Sequence, residues 1–427
     1  MEKLFYGLDF GTSNCSIALM REGDVEVIPL EEDGGKVMPT LLYFHPGRRE
    51  YHVGNEAVRH YLGNGMRGRF MQSMKSFLPD ASFLGTRIER FGTLTIEDLA
   101  GFVLRSVRER ANRATGLTVD TVVLGKPARF SSDPEEERLA TERLVRAAKK
   151  AGFTEIYLQP EPIAAAFAYE ATLARDELVL VADFGGGTTD FSIAALSPSR
   201  RGTGNRWDDI RAAGGVSIGG DRFDSDIMKR KLLRHFGEGT TYRFRDSASP
   251  QSTNIEIPRT LLNELSCWQK HALLKSRKNQ LQLQSLMETA NDRNAIARMY
   301  ALIEKNLGYL LMQSIESAKQ ELSEKKGAFI LFDKDIIRIR EPIARDEFEE
   351  LIAYAIGAYD RAIDGLLTTQ GLTASDIDSV FMTGGTSLIP SIRSLLERKF
   401  GKEKLRTHET FTSVASGLAR SSYLIRT

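Results

Sequence analysis

Two short stretches of this chain carry the residue types and spacing needed to grip a phosphate. The first is Asp9-Phe10-Gly11-Thr12-Ser13-Asn14, followed by Ser16-Ile17-Ala18. The second is Asp183-Phe184-Gly185-Gly186-Gly187-Thr188-Thr189-Asp190, followed by Ser192-Ile193-Ala194. Glycine lets backbone N–H groups approach an anion closely. Neighbouring Thr and Ser hydroxyls can donate to phosphate oxygens, and an Asp beside such a turn can hold a magnesium ion directly or through its waters. One turn of this kind is more often structural, because tight turns need Gly and strands favour Thr. Two of them, in separate halves of the chain, point to two matching lobes closing on one polyphosphate.

The elements that must position these turns follow from the flanking sequence. Leu4-Phe5-Tyr6-Gly7-Leu8 and Leu178-Val179-Leu180-Val181-Ala182 each read as an apolar strand, and a second strand follows each turn, so both motifs are hairpins. Apolar positions between Thr95 and Thr115 fit a core-facing helix. Val119 to Leu124 reads as a buried strand, and Ser131-Ser132-Asp133-Pro134 starts a helix running to Ala151-Gly152. A strand at Ile156-Tyr157-Leu158 leads into Pro160-Glu161-Pro162 and an Ala-rich helix over 163–171. Residues 46 to 93 read as mixed and turn-rich, and Ser197 to Trp207 as a polar connection. A charged, mostly helical block covers about 221–325, broken by a loop from about Gly237 to Pro258. Strands near Ala328–Phe332 and Ile336–Arg340 follow, then a helix from Asp346 to about Thr368. The strand Ser379–Met382 runs into Gly384-Gly385-Thr386-Ser387, which precedes the helix Ile389–Phe400 and places N–H donors where an anion or a nucleotide edge can sit. A last helix lies near Thr412–Leu424. Such alternation of strands and helices predicts an α/β fold.

With 58 basic and 57 acidic residues among 427, the net charge of +1 gives no electrostatic case for nucleic acid or an anionic membrane. No apolar run is long enough to span a bilayer. Cys15 and Cys267 cannot build a disulfide framework, so a reducing cytoplasm is expected. Gly63-Asn64-Gly65-Met66-Arg67-Gly68 has dinucleotide-fingerprint spacing but no strand before it. Gly215-Val216-Ser217-Ile218-Gly219 has hydrolase-elbow spacing but no supporting His, and is read as a structural turn. Lys75 and Glu161 are, by themselves, an ordinary surface cation and a helix-capping acid.

Taken in order, these segments resemble the nucleotide-binding domain of the seventy-kilodalton heat-shock chaperones (DnaK-type), in the actin and sugar-kinase superfamily. The resemblance rests on both turns, on Lys75 in Ser73-Met74-Lys75-Ser76-Phe77-Leu78, and on Val122 to Phe130 with its Pro-Ala-x-Phe end. It also rests on Glu161-Pro162-Ile163-Ala164-Ala165-Ala166-Phe167-Ala168-Tyr169, Gly219-Gly220-Asp221-Arg222-Phe223-Asp224, Glu316-Ser317-Ala318-Lys319 with Ser323, and Gly384-Gly385-Thr386-Ser387-Leu388-Ile389-Pro390. It implies a two-lobed actin-like ATPase with ribonuclease-H-like duplicated lobes. Lobe I would cover 1–172, and lobe II 173–427 with the helical insertion; the C-terminal helix would pack back on lobe I.

The resemblance further implies binding of ATP or ADP with Mg2+ and slow hydrolysis. Asp9 and Asp183 would hold the magnesium shell. Gly11, Thr12, Ser13, Asn14, Gly185, Gly186, Gly187, Thr188, Gly219 and Gly220 would line the phosphates. Lys75, Glu161, Asp183 and Asp9 would position the attacking water and steady the leaving phosphate. Glu316, Lys319, Ser323, Gly384, Gly385, Thr386 and Ser387 would hold the adenosine. Three departures stand out: Gln320 replaces an Arg that stacks on adenine in the family, Leu388 replaces another Arg, and Phe411 to Gly417 loses an acid. No interdomain linker, peptide-binding β-sandwich or helical lid is read before Thr427. The expected partners are a nucleotide and unidentified chaperone or client proteins. An actin-like filament or scaffold, a small-molecule kinase on the same fold, and a nucleotide-sensing partner of another chaperone are the competing readings.

Overall fold

Thr95 and Asp133 each begin a helix by satisfying backbone donors that the first turn leaves orphaned. Thr95 forms a reciprocal capping box with Asp98, and the helix Ile96–Thr115 ends at Gly116 with φ of +69°. Asp133 accepts from the N–H groups of Glu135 and Glu136, and Pro134 opens the helix Pro134–Lys150. A computed structural model describes residues 4–201, 206, 209–245, 252–267, 271–407 and 412–421. The chain is mixed α/β and divides into two compact units. One comprises residues 1–220 and 355–427, the other 221–354.

The first unit holds two sheets with the same path. In the first, Phe5–Phe10, Asn14–Arg21 and Asp24–Val27 form an antiparallel meander. On the other side of Phe5–Phe10, Thr121–Lys126 and then Glu155–Pro160 pair in parallel. In the second, Glu177–Phe184, Thr189–Leu196 and Ile210–Val216 form the meander, and Ser379–Thr383 and Leu405–Thr407 add in parallel beside Glu177–Phe184. The central strands are apolar and buried, as parallel neighbours covered on both faces require. Val37–Pro39 pairs with the start of Asn14–Arg21. The 46–93 stretch is more ordered than its composition predicts: Tyr51–Val53 and Arg69–Gln72 flank Leu41–Phe44 in a small sheet, and Asn55–Gly63 is a helix.

The helix Ser413–Arg420 packs where two glycines allow backbone contact. A Cβ on Gly7 would lie 2.1 Å from the Ala419 nitrogen, and one on Gly417 would lie 1.6 Å from the Ala164 carbonyl oxygen. Replacing either glycine would force the helix away from the strand Phe5–Phe10 or from the helix Glu161–Glu170.

In the second unit, the segment expected as a loop from Gly237 to Pro258 forms an antiparallel hairpin instead, Thr241–Arg245 with Ser252–Glu256. Its alternating Thr, Tyr, Phe and Ile residues fit a pleated surface, a period-2 signal masked by the charges between them. Its tip, 246–251, lies outside the described residues, as do Trp207, Phe411 and the end of the last expected helix. The hairpin Gly327–Lys334 with Ile337–Ala344 alternates buried and exposed positions along both strands. No helix among the described residues is long and apolar enough to cross a membrane.

Candidate functional site

The two Gly-rich turns have matched geometry. Phe10 pairs with Cys15 across the first hairpin and Phe184 with Thr189 across the second, so residues 11–14 and 185–188 make the turns. The second turn closes through a hydrogen bond from the Gly185 N–H to the Thr188 carbonyl, 3.0 Å. A Cβ on Gly11 would meet the Asn14 carbonyl oxygen at 2.4 Å, and one on Gly187 would meet the Thr12 hydroxyl oxygen at 2.8 Å. The two turns therefore approach each other through a position where only glycine fits without displacement.

Gly219 and Gly220 buttress the second turn from outside. The Gly220 N–H donates to the Gly185 carbonyl at 3.1 Å, and a Cβ on Gly219 would lie 2.4 Å from the Gly186 carbonyl oxygen. The elbow-like Gly215 to Gly219 segment thus has a backbone task here. Gly384, with φ of +82°, packs on the backbone of Phe184, and the Thr386 hydroxyl donates to the Gly185 carbonyl at 3.2 Å. Ser387 donates back to the Gly384 carbonyl at 2.6 Å, tightening the turn that precedes the helix Pro390–Phe400.

Lys75 is neither a surface cation nor a solitary charge. Ser73, with φ of +55°, turns the chain into a short 3-10 helix, Met74–Phe77, whose Met74 joins the hydrophobic core. Lys75 is buried and its ammonium donates to a Glu161 carboxylate oxygen. Burial pulls the Lys75 pKa down, but Glu161 and Asp9 outweigh it and the net shift is upward, so the ammonium stays charged. Glu161 opens its helix without capping it. Its side chain fits because Gly125 lies beside it: a Cβ there would come within 3.1 Å of Glu161 Cγ.

Around this ion pair stand three more acids. Asp9 is the penultimate residue of its strand, opposite Ser16, whereas Asp183 is the penultimate residue of its strand, opposite a second acid, Asp190. Burial, then Glu161, pushes the Asp9 carboxyl up, and the same two causes push Asp183 well up. Asp190 is raised to about 7 by burial and Glu161, although its carboxylate accepts from the Ala128 N–H at 2.8 Å. Four carboxylates surrounding one ammonium leave an excess of negative charge in a hard-oxygen environment. Such a donor set suits a divalent cation of the magnesium type, and the glycine turns beside it suit an anion that the cation bridges.

Two residues escaped the sequence reading. Asp190 is visible in the motif, and the hairpin register alone would have set it opposite Asp183. Arg143 gave no such signal. Its guanidinium donates to the Leu78, Asp80 and Phe83 carbonyls at 3.0, 2.8 and 3.3 Å, pinning the segment that follows Lys75.

In the second unit, Glu316, Lys319 and Ser323 lie on the helix Gly308–Glu324. Lys319 forms an ion pair with Asp224 at 2.8 Å, and burial pushes the Asp224 carboxyl up to about 7 against the lowering effect of that ammonium. Gln320 is exposed and bridges weakly to Glu316 at 3.5 Å. Leu388, in the first unit, is 56% exposed.

A family model described as Hsp70 protein matches residues 5–78, 80–294 and 301–425.

Proposed function

The chain belongs to the Hsp70 protein family, whose members are ATP-binding, chaperone-type proteins, and on that premise we propose that it binds Mg-ATP and hydrolyses it slowly to ADP and phosphate. The observation that carries this reading is the buried Lys75–Glu161 pair between two Asp-bearing glycine turns. In this reading the chain is a two-lobed actin-like ATPase, lobe I over 1–172 built on the first sheet and lobe II over 173–427 built on the second and carrying the helical insertion.

Asp9 and Asp183 would hold the magnesium, whose charge when bound neutralises phosphate oxygens. Glycine turns 11–14 and 185–188 present N–H and hydroxyl donors to the phosphates. Glu161 keeps the Lys75 ammonium oriented, and Lys75 steadies the charge that develops on the transferred phosphoryl group. Phosphoryl transfer asks for alignment and electrostatic stabilisation more than covalent chemistry, so these groups suffice. Burial, then Glu161, raises the Asp190 carboxyl, which lies opposite Asp183 across the hairpin and within reach of the same cluster. Gly384 to Ser387, beside the second glycine turn in the first unit, would add a contact to the adenosine.

Calorimetric titration with ATP, ADP and GTP, together with phosphate release by Lys75→Ala, tests the reading. ATP and ADP are expected to bind the wild type and the variant, with turnover lost only in the variant. Unchanged turnover in Lys75→Ala would remove the assigned role, and no nucleotide binding at high micromolar concentration would remove the function.

A further inference from the structure

His52, Glu56 and His60 lie together on the surface of the first unit, apart from the residues assigned to nucleotide. The strand Tyr51–Val53 meets the helix Asn55–Gly63 at Gly54, whose φ is +70°. A Cβ at Gly54 would lie 2.4 Å from a Glu31 carboxylate oxygen and 2.5 Å from Met38 Cγ. This tight junction turns His52 towards the first helical turn, and the i, i+4 spacing then stacks Glu56 and His60 on one helix face. His52 Nδ1 lies 2.9 Å from Glu56 Oε1, and His60 Nε2 lies 3.9 Å from the same oxygen. One potential ligand atom from each residue falls within 4.8 Å of the other two.

We propose that these three side chains form a binding site for a first-row divalent transition metal of the zinc type. Imidazole and carboxylate together suit zinc, nickel or copper, whereas magnesium prefers oxygen alone. Two ligand atoms, each about 2.1 Å from a tetrahedral zinc, stand roughly 3.4 Å apart, and the two observed separations bracket that edge. Glu56 is already oriented from behind. Its Oε2 accepts from Arg110 at 3.2 Å, and Arg110 also donates to the Val53 and Leu30 carbonyls, each at 2.9 Å. Such support from outside the ligand set fixes a ligating carboxylate. His60 is 42% exposed and opens the site to solvent, while His52 is largely covered.

Two features moderate the affinity. The imidazoles stack in parallel with centroids 3.5 Å apart, and a metal lies in the plane of each ring it binds, so the rings must tilt apart. His52 Nε2 is buried without a partner among the described residues. Metal at Nδ1 moves the ring proton to that nitrogen, leaving a buried N–H unsatisfied. A low-micromolar site with a water as fourth ligand is the expected result.

The test uses the full chain, stripped with EDTA and returned to millimolar Mg2+ so that the acidic cluster is occupied. Calorimetric titration with zinc chloride, and visible absorption with cobalt chloride, should report one metal per chain. His60→Ala and Glu56→Gln should each weaken zinc binding by at least about tenfold, as loss of one of three ligands requires. Thermal unfolding in EDTA checks that both variants remain folded. Absent zinc binding, or undiminished binding in either folded variant, overturns the site.

Discussion

The two glycine turns follow one backbone path and carry different loads. Each closes a hairpin with a four-residue turn, beside a parallel strand on the far side of its first strand. The first turn is charge-poor: Ser16 faces Asp9, and Thr40 covers the turn by donating its N–H to the Ser13 carbonyl and its hydroxyl to the Gly11 carbonyl, both at 2.8 Å. The second has Asp190 facing Asp183 and is covered by Gly219, Gly220 and Thr386. Repetition therefore conserves the cradle, while the acid that raises the local cost of burial is confined to one copy. That asymmetry concentrates repulsion at the second turn, where it favours a cation or a proton.

Transplanting the acid is the most severe way to break this comparison. Ser16 is 1% exposed, so Ser16→Asp buries another carboxylate opposite Asp9 without a matching donor. A loss of about 3 kcal/mol or more of stability is expected, by urea unfolding, from an unpaired buried charge. Removing the acid from the second turn should act oppositely. The Asp190 pKa, raised to about 7 in the folded chain, means that the native state keeps a proton the unfolded chain releases near pH 4. Its contribution is thus fully present below pH 4, is lost as pH rises to 7, and changes little above that. Asp190→Asn keeps the carbonyl oxygen that accepts from Ala128 and removes the charge. In EDTA its stability gain should grow from pH 5 to pH 8, reaching about 2 kcal/mol, while turnover falls. A gain independent of pH would mean that repulsion at this turn is not what Asp190 contributes.

The contact between the turns gives a smaller effect. Gly187→Ala places a methyl 2.8 Å from the Thr12 hydroxyl oxygen, so ATP affinity should fall by about tenfold, roughly 1.4 kcal/mol. In the Thr12→Ala background the same substitution should cost less, and that difference in a double-mutant cycle measures the approach of the two turns. Equal costs in both backgrounds would show that the turns act independently.

How much of this was legible in the sequence varies with the range of the interaction. Both turns could be read because their glycines, hydroxyls and flanking apolar strands are local. Lys75 and Glu161 could not be joined from local chemistry, because their pairing depends on Ser73 reversing the chain and on Gly125 making room 36 residues before the acid. Their residues stood out only through family resemblance. Arg143 stayed invisible, since an arginine on a charged helix looks solvated until its carbonyl partners are known. The Thr241–Arg245 hairpin was read as a loop because its apolar residues alternate with charges over too few positions to separate strand from coil. Asp190 was a different case: its place in the motif was plain, and its electrostatic burden appeared only once the cross-strand register put it against Asp183.

The gentlest test makes the first turn more like the second. Cys15 and Thr189 occupy equivalent positions, each pairing with the strand-ending Phe that follows the Asp. Burial pushes the Cys15 thiol up to about 12, and its sulfur lies 3.2 Å from the Thr40 hydroxyl. A thiol so sealed reacts slowly with iodoacetamide at pH 8, because the thiolate is the nucleophile. Cys15→Thr offers a hydroxyl to the same Thr40 partner and introduces a β-branched residue suited to a strand. Its stability should stay within about 1 kcal/mol of wild type, with ATP affinity unchanged. If nucleotide instead slows the residual alkylation of Cys15 in the wild type, the first turn opens in the free protein and closes on phosphate. Equal alkylation with and without ATP would leave it as rigid as the Thr40 hydrogen bonds imply, and the mobility needed to admit nucleotide would then fall to the more heavily charged second turn.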